Sequence, residues 1–230
     1  MSDKGIIYYT HNVCEPKIFE AVQKTILRAG LPIVSCSLKP IDFGKNIVLD
    51  LEPGAVTLNK QIITALENSE SKYVFFCEHD VLYHKSHFEF TPPTDDTYYY
   101  NTSVWRWDFP KDRLIGYDGL KSLSGMCCNR ELALNHYRKR LEMIENNGWD
   151  NGRDPHWARV IGYEPGKEKR RGGFLDEKKD TWECKYPLID IRHSGTITKP
   201  KVTLDSFKNQ PTGWQEITIS ELKGWNFNEL

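Results

Sequence analysis

The chain has 230 residues, of which 39% are hydrophobic and 27% charged, and its formal net charge at pH 7 is −1. These values are ordinary for a globular protein with one large domain, and they give no overall field that would attract nucleic acid or a membrane surface. No run of 18 consecutive apolar residues occurs, so the sequence predicts no membrane-spanning helix.

The N-terminus and the cysteines predict a cytoplasmic protein. The opening residues, MSDKGIIYYT, have too short an apolar run for a secretory signal, and no small-residue cleavage site follows. The six cysteines form no C-x-x-C pair, and Cys36 and Cys77 lie in apolar runs. We interpret the cysteines as small buried side chains in a reducing compartment, rather than as a disulfide framework or a zinc knuckle.

The first half of the chain alternates strand-like and helix-like patterns. The predicted elements are a strand over 5–10, a helix over 11–30 that ends at Gly30, a strand over 31–38, a short run over 47–54, a helix over 55–71 and a strand over 72–83. Strands that alternate with helices form a parallel sheet with crossover helices. The continuous apolar character of these strands is typical of burial on both faces.

The second half predicts a smaller, antiparallel region. Its elements are antiparallel strands and loops over 88–110, a helix over 125–148 with Asn129 as N-cap, a short helix over 153–163 with Asp154 as N-cap, a charged loop over 164–180 and a last strand within 186–200, followed by a tail with no clear pattern. The whole pattern predicts an α/β fold, a Rossmann-type α/β/α sandwich with a mostly parallel central sheet.

In the stretch YVFFCEHD, at 73–80, an apolar run typical of a buried strand is followed directly by two acids and a histidine. Parallel strands bind ligands at their carboxyl ends, and the two-residue period of a strand points Glu78 and Asp80 to the same side. Two carboxylates that face one small volume need a cation between them, or a proton on one of them. A hard divalent metal with open positions for phosphate oxygens would meet this need. The alternative is an exposed acidic turn after a strand.

This layout resembles the GT-A glycosyltransferases, family-2-like, in which an acid-x-acid ("DXD") signature ends a central strand between a nucleotide-binding half and an acceptor half. Here the signature reads Glu78-His79-Asp80. The resemblance implies that Asp80 ligates Mn²⁺ or Mg²⁺, which holds the diphosphate of a sugar nucleotide. It places Glu78 at the ribose or at the metal, and His79 either adds a ligand or points into the sheet.

Further stretches carry the same resemblance. VTLNKQIITALENSESKYVFFCEHD implies donor-side roles for Asn59 and Lys60, SLSGMCCNREL implies that Ser124 and Gly125 approach the donor sugar, and IDIRHSGTIT implies that His193 completes the metal site. The nucleotide base or ribose would lie near Thr10, His11 and Asn12 at the end of the first strand, and near Asp42 and Lys45 in the loop after the second.

The catalytic base stays open between several acids. An inverting enzyme would use Asp154, in GRDPHWARVIGY, although this residue is equally explained as a helix N-cap. Glu164 in YEPG and Asp150 are the alternatives, and a retaining enzyme would need none of them. The loop GKEKRRGG contains Lys167, Lys169, Arg170 and Arg171, which form either a solvated loop or a lid over the diphosphate or an anionic acceptor.

The aromatic stretch in the acceptor half has two interpretations. Tyr98, Tyr99, Tyr100, Trp105 and Trp107 form either a packed antiparallel core or a platform for a saccharide or a nucleotide.

Together these patterns predict one GT-A-like domain, with a donor half over 5–90, an acceptor half over 91–200 and a C-terminal wrap over 201–230. The predicted activity is metal-dependent hexosyl or pentosyl transfer from a nucleotide-diphosphate sugar to an acceptor hydroxyl, on a saccharide or a modified base in DNA. One alternative is a nucleotidyltransferase, although YYTHNVCEPK lacks the glycine-rich loop of that class. The other is a non-catalytic module that binds carbohydrate or nucleotide.

Overall fold

The computed structural model describes residues 3–148, 161–162, 164–166, 177–193 and 201–227. The residues singled out above that lie outside these ranges are Asp150, Asp154, Lys167, Lys169, Arg170 and Arg171. The short helix predicted over 153–163 also falls mostly outside them, so these assignments stay predictions.

The elements of the described chain follow one another as strands, three α-helices and short 3-10 turns. They are β1 (Lys4–Thr10), α1 (Pro16–Leu27), β2 (Ile33–Ser37), β3 (Lys45–Val48), α2 (Ala55–Glu67), β4 (Tyr73–Glu78), β5 (Val81–Leu82), β6 (Thr97–Asn101), β7 (Val104–Asp108), β8 (Leu114–Gly116), β9 (Met126–Asn129), α3 (Arg130–Asn147), β10 (Lys178–Trp182), β11 (Leu188–Arg192) and β12 (Gln215–Ile217). Within the part of the chain that the structure describes, no helix has the length and apolar character needed to cross a membrane.

The main sheet has seven strands in the order β10-β6-β9-β4-β1-β2-β3. Every neighbouring pair is parallel except those made by β9, which is antiparallel to both β4 and β6. The prediction of a mostly parallel central sheet with helical crossovers is therefore confirmed.

Both faces of this sheet are buried. Tyr8 and Phe75 pack on the side of α1, whereas their neighbours in the sequence, Ile7 and Phe76, pack on the side of α2 and α3. A strand with two buried faces needs apolar side chains at consecutive positions. This requirement explains the unbroken apolar runs of the sequence.

A second, smaller sheet has the order β12-β8-β7-β11-β5. Its ladders are antiparallel except for the parallel pair of β7 and β11, so the predicted smaller region is present as a mixed sheet. The two-residue strand β5 follows β4 after a single turn, and it pairs with β11. This pairing joins the centre of the main sheet to the second sheet.

Three local predictions differ from the structure. Residues 126–129, predicted as the start of a helix, form β9, because their apolar side chains fill the gap between β4 and β6. The helix begins after them, and the side chain of Asn129 caps it by accepting from the main-chain nitrogens of Glu131 and Leu132 at 2.9 and 3.3 Å. The predicted loop over 164–180 ends in β10, and the tail supplies β12.

His87 is a fully buried histidine in the core on the α1 side of the main sheet. Its Nδ1 lies 3.0 Å from the side-chain nitrogen of Asn101, and its ring stacks on Trp182 at 5.4 Å between centroids. Burial lowers the pKa of His87 to about 3, so the ring is neutral in the folded chain.

Replacing His87 with Gln is expected to flatten the pH dependence of stability. Because the unfolded state takes up this proton near pH 6.5 and the folded state only near 3, the free energy of unfolding falls as the pH drops between those values. At pH 5 the linkage costs the wild type about 2 kcal/mol relative to pH 7.5, and His87→Gln lacks this cost. Urea unfolding at both pH values measures the difference.

The control is His84→Gln, at a half-buried histidine, which should keep most of the wild-type dependence. Equal slopes for the wild type and His87→Gln would contradict the prediction.

Candidate active site

The carboxyl edge of the main sheet brings the ends of β1 and β4 side by side. The register pairs Tyr9 with Glu78, so His11 and His79 follow on neighbouring strands. Their rings meet edge to face with 4.9 Å between centroids. Burial is the main cause that lowers the pKa of both histidines to about 4. The charges of His79 and His193 contribute to the lowering for His11, and the charge of His193 contributes for His79, so both rings are neutral at pH 7.

The C-terminal strand β11 delivers His193 to the same edge. The main-chain nitrogen of Ile191 donates to the carbonyl oxygen of Asp80 at 2.8 Å, which fixes β11 against the turn after β4. His193, one residue beyond β11, is buried, and its Nε2 lies 3.9 Å from Cys14 Sγ. The same sulfur lies 3.9 Å from the carbonyl oxygen of His79. The strand pairing thus joins residues that are more than 110 positions apart in the sequence.

The two carboxyl groups of the acidic motif are half-buried and have different partners. Glu78 accepts a hydrogen bond from the Tyr9 hydroxyl at 2.9 Å. Burial, followed by the charge of Asp80, raises the pKa of Glu78. Burial, followed by the charge of Asp190, raises the pKa of Asp80, whereas Arg192 and His193 lower it. Both acids therefore lie where negative charge is crowded and water is scarce.

Asp190 is a charged residue at this site that the sequence analysis did not single out. It is buried in β11 and forms ion pairs with Arg106 of β7 at 3.3 Å and with Arg192 at 2.7 Å. The available signal was the alternation of charged and apolar residues in LIDIR, since a charge inside a buried strand requires a partner.

The predicted metal ligands are not the tightest group of potential ligands. Among the described residues, the ligand atoms that all lie within 4.8 Å of one another belong to Cys14, His79 and His193. Of the predicted set, His193 is in this group, whereas Glu78 and Asp80 are outside it.

Ser124 and Gly125 lie at the same edge as the acidic motif. They are buried in a 3-10 turn that leads into β9. This turn packs against β4, the strand that ends at Glu78. The structure thus places this predicted donor-side segment against the strand that carries the first acid.

Two of the predicted donor contacts have structural partners instead. The side-chain oxygen of Asn12 accepts from the main-chain nitrogens of Leu38 and Lys39 at 2.8 and 2.9 Å, which ties the end of β1 to the end of β2. Asn59 is fully buried and donates to the carbonyl oxygen of Tyr137 at 3.1 Å. This burial leaves Asn59 no surface for a nucleotide, so its assignment to the donor site is corrected.

The remaining predicted donor-side residues differ in burial and in their position on the sheet. Thr10 is buried at the end of β1, and its carbonyl oxygen accepts from Gln61, a residue that the sequence analysis did not single out. Lys60 is half-buried on α2. Asp42 is exposed between β2 and β3, and Lys45 starts β3 and donates to the carbonyl oxygen of Asn68 at 3.5 Å. Lys45 therefore points away from the carboxyl edge.

Glu164 lies on the side of the sheet that carries α3. It is half-buried. Burial is the main cause that raises the pKa of Tyr100 and Tyr137, and the charge of Glu164 contributes to both shifts. Two side chains of α3 hold its segment: His136 Nε2 lies 2.8 Å from the carbonyl oxygen of Gly162, and Arg140 donates to that of Ile161. The candidate base that the structure describes is thus anchored by a helix.

The aromatic stretch divides between core and surface. Tyr98, Tyr99 and Tyr100 are buried in β6, so the packed-core interpretation holds for them. Trp105 and Trp107 of β7 are half-buried in the second sheet.

No protein-family model matches the chain, and none of the curated proteins does. The similar solved structures include two of the glycosyltransferase GlyE from Streptococcus pneumoniae TIGR4. In the apo form of GlyE, identity is 11%, coverage is 66% of this chain and 41% of that one, and the TM-score is 0.40. For the second GlyE structure, the identity is 10%, the match covers 76% of this chain and 46% of GlyE, and the TM-score is 0.41.

A glycosyltransferase involved in glycosylation of the major capsid of PBCV-1 is also similar, at 10% identity, 75% and 81% coverage and a TM-score of 0.42. The chain spans less than half of the length of GlyE.

Proposed function

We propose that the protein is a metal-dependent glycosyltransferase, which moves a sugar from a nucleotide-diphosphate sugar to an acceptor hydroxyl. The observation that carries this proposal is the meeting of two chain segments at one sheet edge. The turn with Glu78, His79 and Asp80 is bonded through the Asp80 carbonyl to β11, the strand that ends next to His193. Ligand sites of α/β proteins occupy such edges.

The residues at this edge fit a hard divalent cation. Glu78 and Asp80 are half-buried acids whose pKa values are raised by burial and by neighbouring carboxylates, an arrangement that a cation stabilises. Carboxylate oxygens with an imidazole suit Mn²⁺, and carboxylates with water suit Mg²⁺. Asp80 would hold the ion, with His193 and Glu78 as its further partners. Such an ion neutralises the negative charge of a departing diphosphate.

The chain's own residues would position the donor sugar and accept the proton of the acceptor. Glu78, held by Tyr9, ends the strand against which the turn with Ser124 and Gly125 packs, and the donor sugar would be positioned there. Glu164 would accept the proton of the acceptor hydroxyl if the transfer inverts the anomeric centre. Asp154 stays the alternative base. The acceptor would be a saccharide or a modified base in DNA.

Thermal unfolding in the presence of metal and nucleotide tests the proposal. A nucleoside diphosphate at about 100 times its Kd is expected to stabilise the protein by about 2.7 kcal/mol, which raises Tm by roughly 5–10 °C. The increase should require Mn²⁺, because the ion holds the diphosphate. A panel of sugar nucleotides, assayed for release of nucleoside diphosphate, then identifies the donor.

Each other outcome points to a different class. Indifference to both metal and nucleotide would support a binding module without this chemistry. Release of pyrophosphate from a nucleoside triphosphate, with no turnover of sugar nucleotides, would support a nucleotidyltransferase.

A further inference from the structure

Three side chains with nitrogen or sulfur ligand atoms converge at the carboxyl edge of the main sheet. Cys14 comes from the loop between β1 and α1, His79 from the turn after β4, and His193 from the residue after β11. Their ligand atoms all lie within 4.8 Å of one another, with 3.9 Å between Cys14 Sγ and His193 Nε2. Three separate segments of the chain thus contribute one ligand each.

The His79 ring gives an independent sign of a ligand. It is 8% exposed, and its Nδ1 has no hydrogen-bond partner among the described residues. A buried nitrogen without a partner costs free energy, and a metal ion would remove this cost.

The three ligands differ in chemistry from the acidic pair. One thiol and two imidazoles form a set that zinc prefers, whereas carboxylates suit Mn²⁺ and Mg²⁺. A tetrahedral zinc ion needs ligand atoms about 3.3–3.6 Å apart, so small side-chain rotations would close the observed spacing. Three protein ligands leave one coordination position open.

We propose that Cys14, His79 and His193 form a binding site for a zinc-like transition-metal ion with one open coordination position. The site does not depend on sugar transfer, since it is defined by its ligands alone. It shares His193 with the Mn²⁺ or Mg²⁺ site proposed above, so one imidazole serves either ion but not both at once.

Titration of the metal-free protein with Co²⁺, without nucleotide or sugar, tests this site. The expected result is one equivalent of Co²⁺ bound, with the strong visible bands of tetrahedral cobalt and a near-ultraviolet thiolate-to-cobalt band, all abolished by one equivalent of Zn²⁺. Cys14→Ser should lose the thiolate band. His79→Gln should weaken binding by at least about 10-fold.

Matched variants keep the result interpretable. Cys128→Ala, at a buried cysteine of β9, and His84→Gln, at a half-buried histidine, should bind Co²⁺ as the wild type does. Circular dichroism confirms that each variant is folded. A thiolate band that survives in Cys14→Ser, or the absence of any tetrahedral spectrum in the wild type, would overturn the proposal. Because the titration contains no sugar nucleotide, its outcome is separate from that of the transferase assays.

Discussion

Asp80→Asn is expected to lower kcat/KM for metal-supported turnover of a sugar nucleotide by at least about 100-fold, since the stabilisation that a metal ion provides amounts to several kcal/mol. The amide keeps the shape of the carboxyl group but removes the charge that would hold the ion. The main-chain bond between Asp80 and Ile191 does not involve the side chain, so the strand pairing should remain intact. Steady-state kinetics over a range of Mn²⁺ concentrations measures the change.

The matched control is Asp96→Asn, at an exposed acid just before the start of β6, on the opposite edge of the same sheet. Asp96 forms an exposed ion pair with Lys178, and such pairs contribute little to stability. This variant should turn over sugar nucleotide at the wild-type rate. Full activity in Asp80→Asn would remove this residue from the metal site.

Gly44→Ala is expected to lower the free energy of unfolding by about 3 kcal/mol or more, because two costs add. Gly44 has a φ of +64°, where an alanine is strained, and a Cβ there would lie 2.5 Å from the carbonyl oxygen of Ile33. That oxygen belongs to the neighbouring strand β2, so relief would require the sheet edge to move. Urea unfolding at pH 7.5 measures the loss.

Gly30→Ala isolates the first cost, the conformational strain. Gly30 has nearly the same φ, +65°, but a Cβ there meets no described atom within 4 Å. The conformational strain alone should cost about 1–2 kcal/mol. If both alanines cost the same, the contact with Ile33 would be of no energetic importance.

The main sheet was predictable because each of its central strands is a local run of apolar residues, and such runs fit only one kind of sheet. Consecutive apolar residues in β1 and β4 require burial on both faces of the sheet. The helical patterns between the strands require parallel pairing. The strand β9 was not predictable in this way. Its four residues precede a strong helix, and only the gap between β4 and β6 makes them extended.

The candidate site was predictable to the extent that it depends on sheet topology. The end of β4 and the end of β11 were both identified as ligand-bearing positions, and the pairing of β5 with β11 brings them to one edge. Cys14 was interpreted only as a small buried side chain, because nothing in its neighbouring sequence indicates a ligand. Its proximity to His193 arises from contacts between segments 179 positions apart, which periodicity does not encode.

The direct passage from β4 into β5 also determines how the molecule can be divided. A fragment that ends at residue 90 would retain Glu78, His79 and Asp80, but it would expose the edge of β5 that β11 covers and would lack His193. An uncovered strand edge invites pairing with other chains. The two portions of the polypeptide are therefore complementary fragments, and neither alone is a smaller version of the protein.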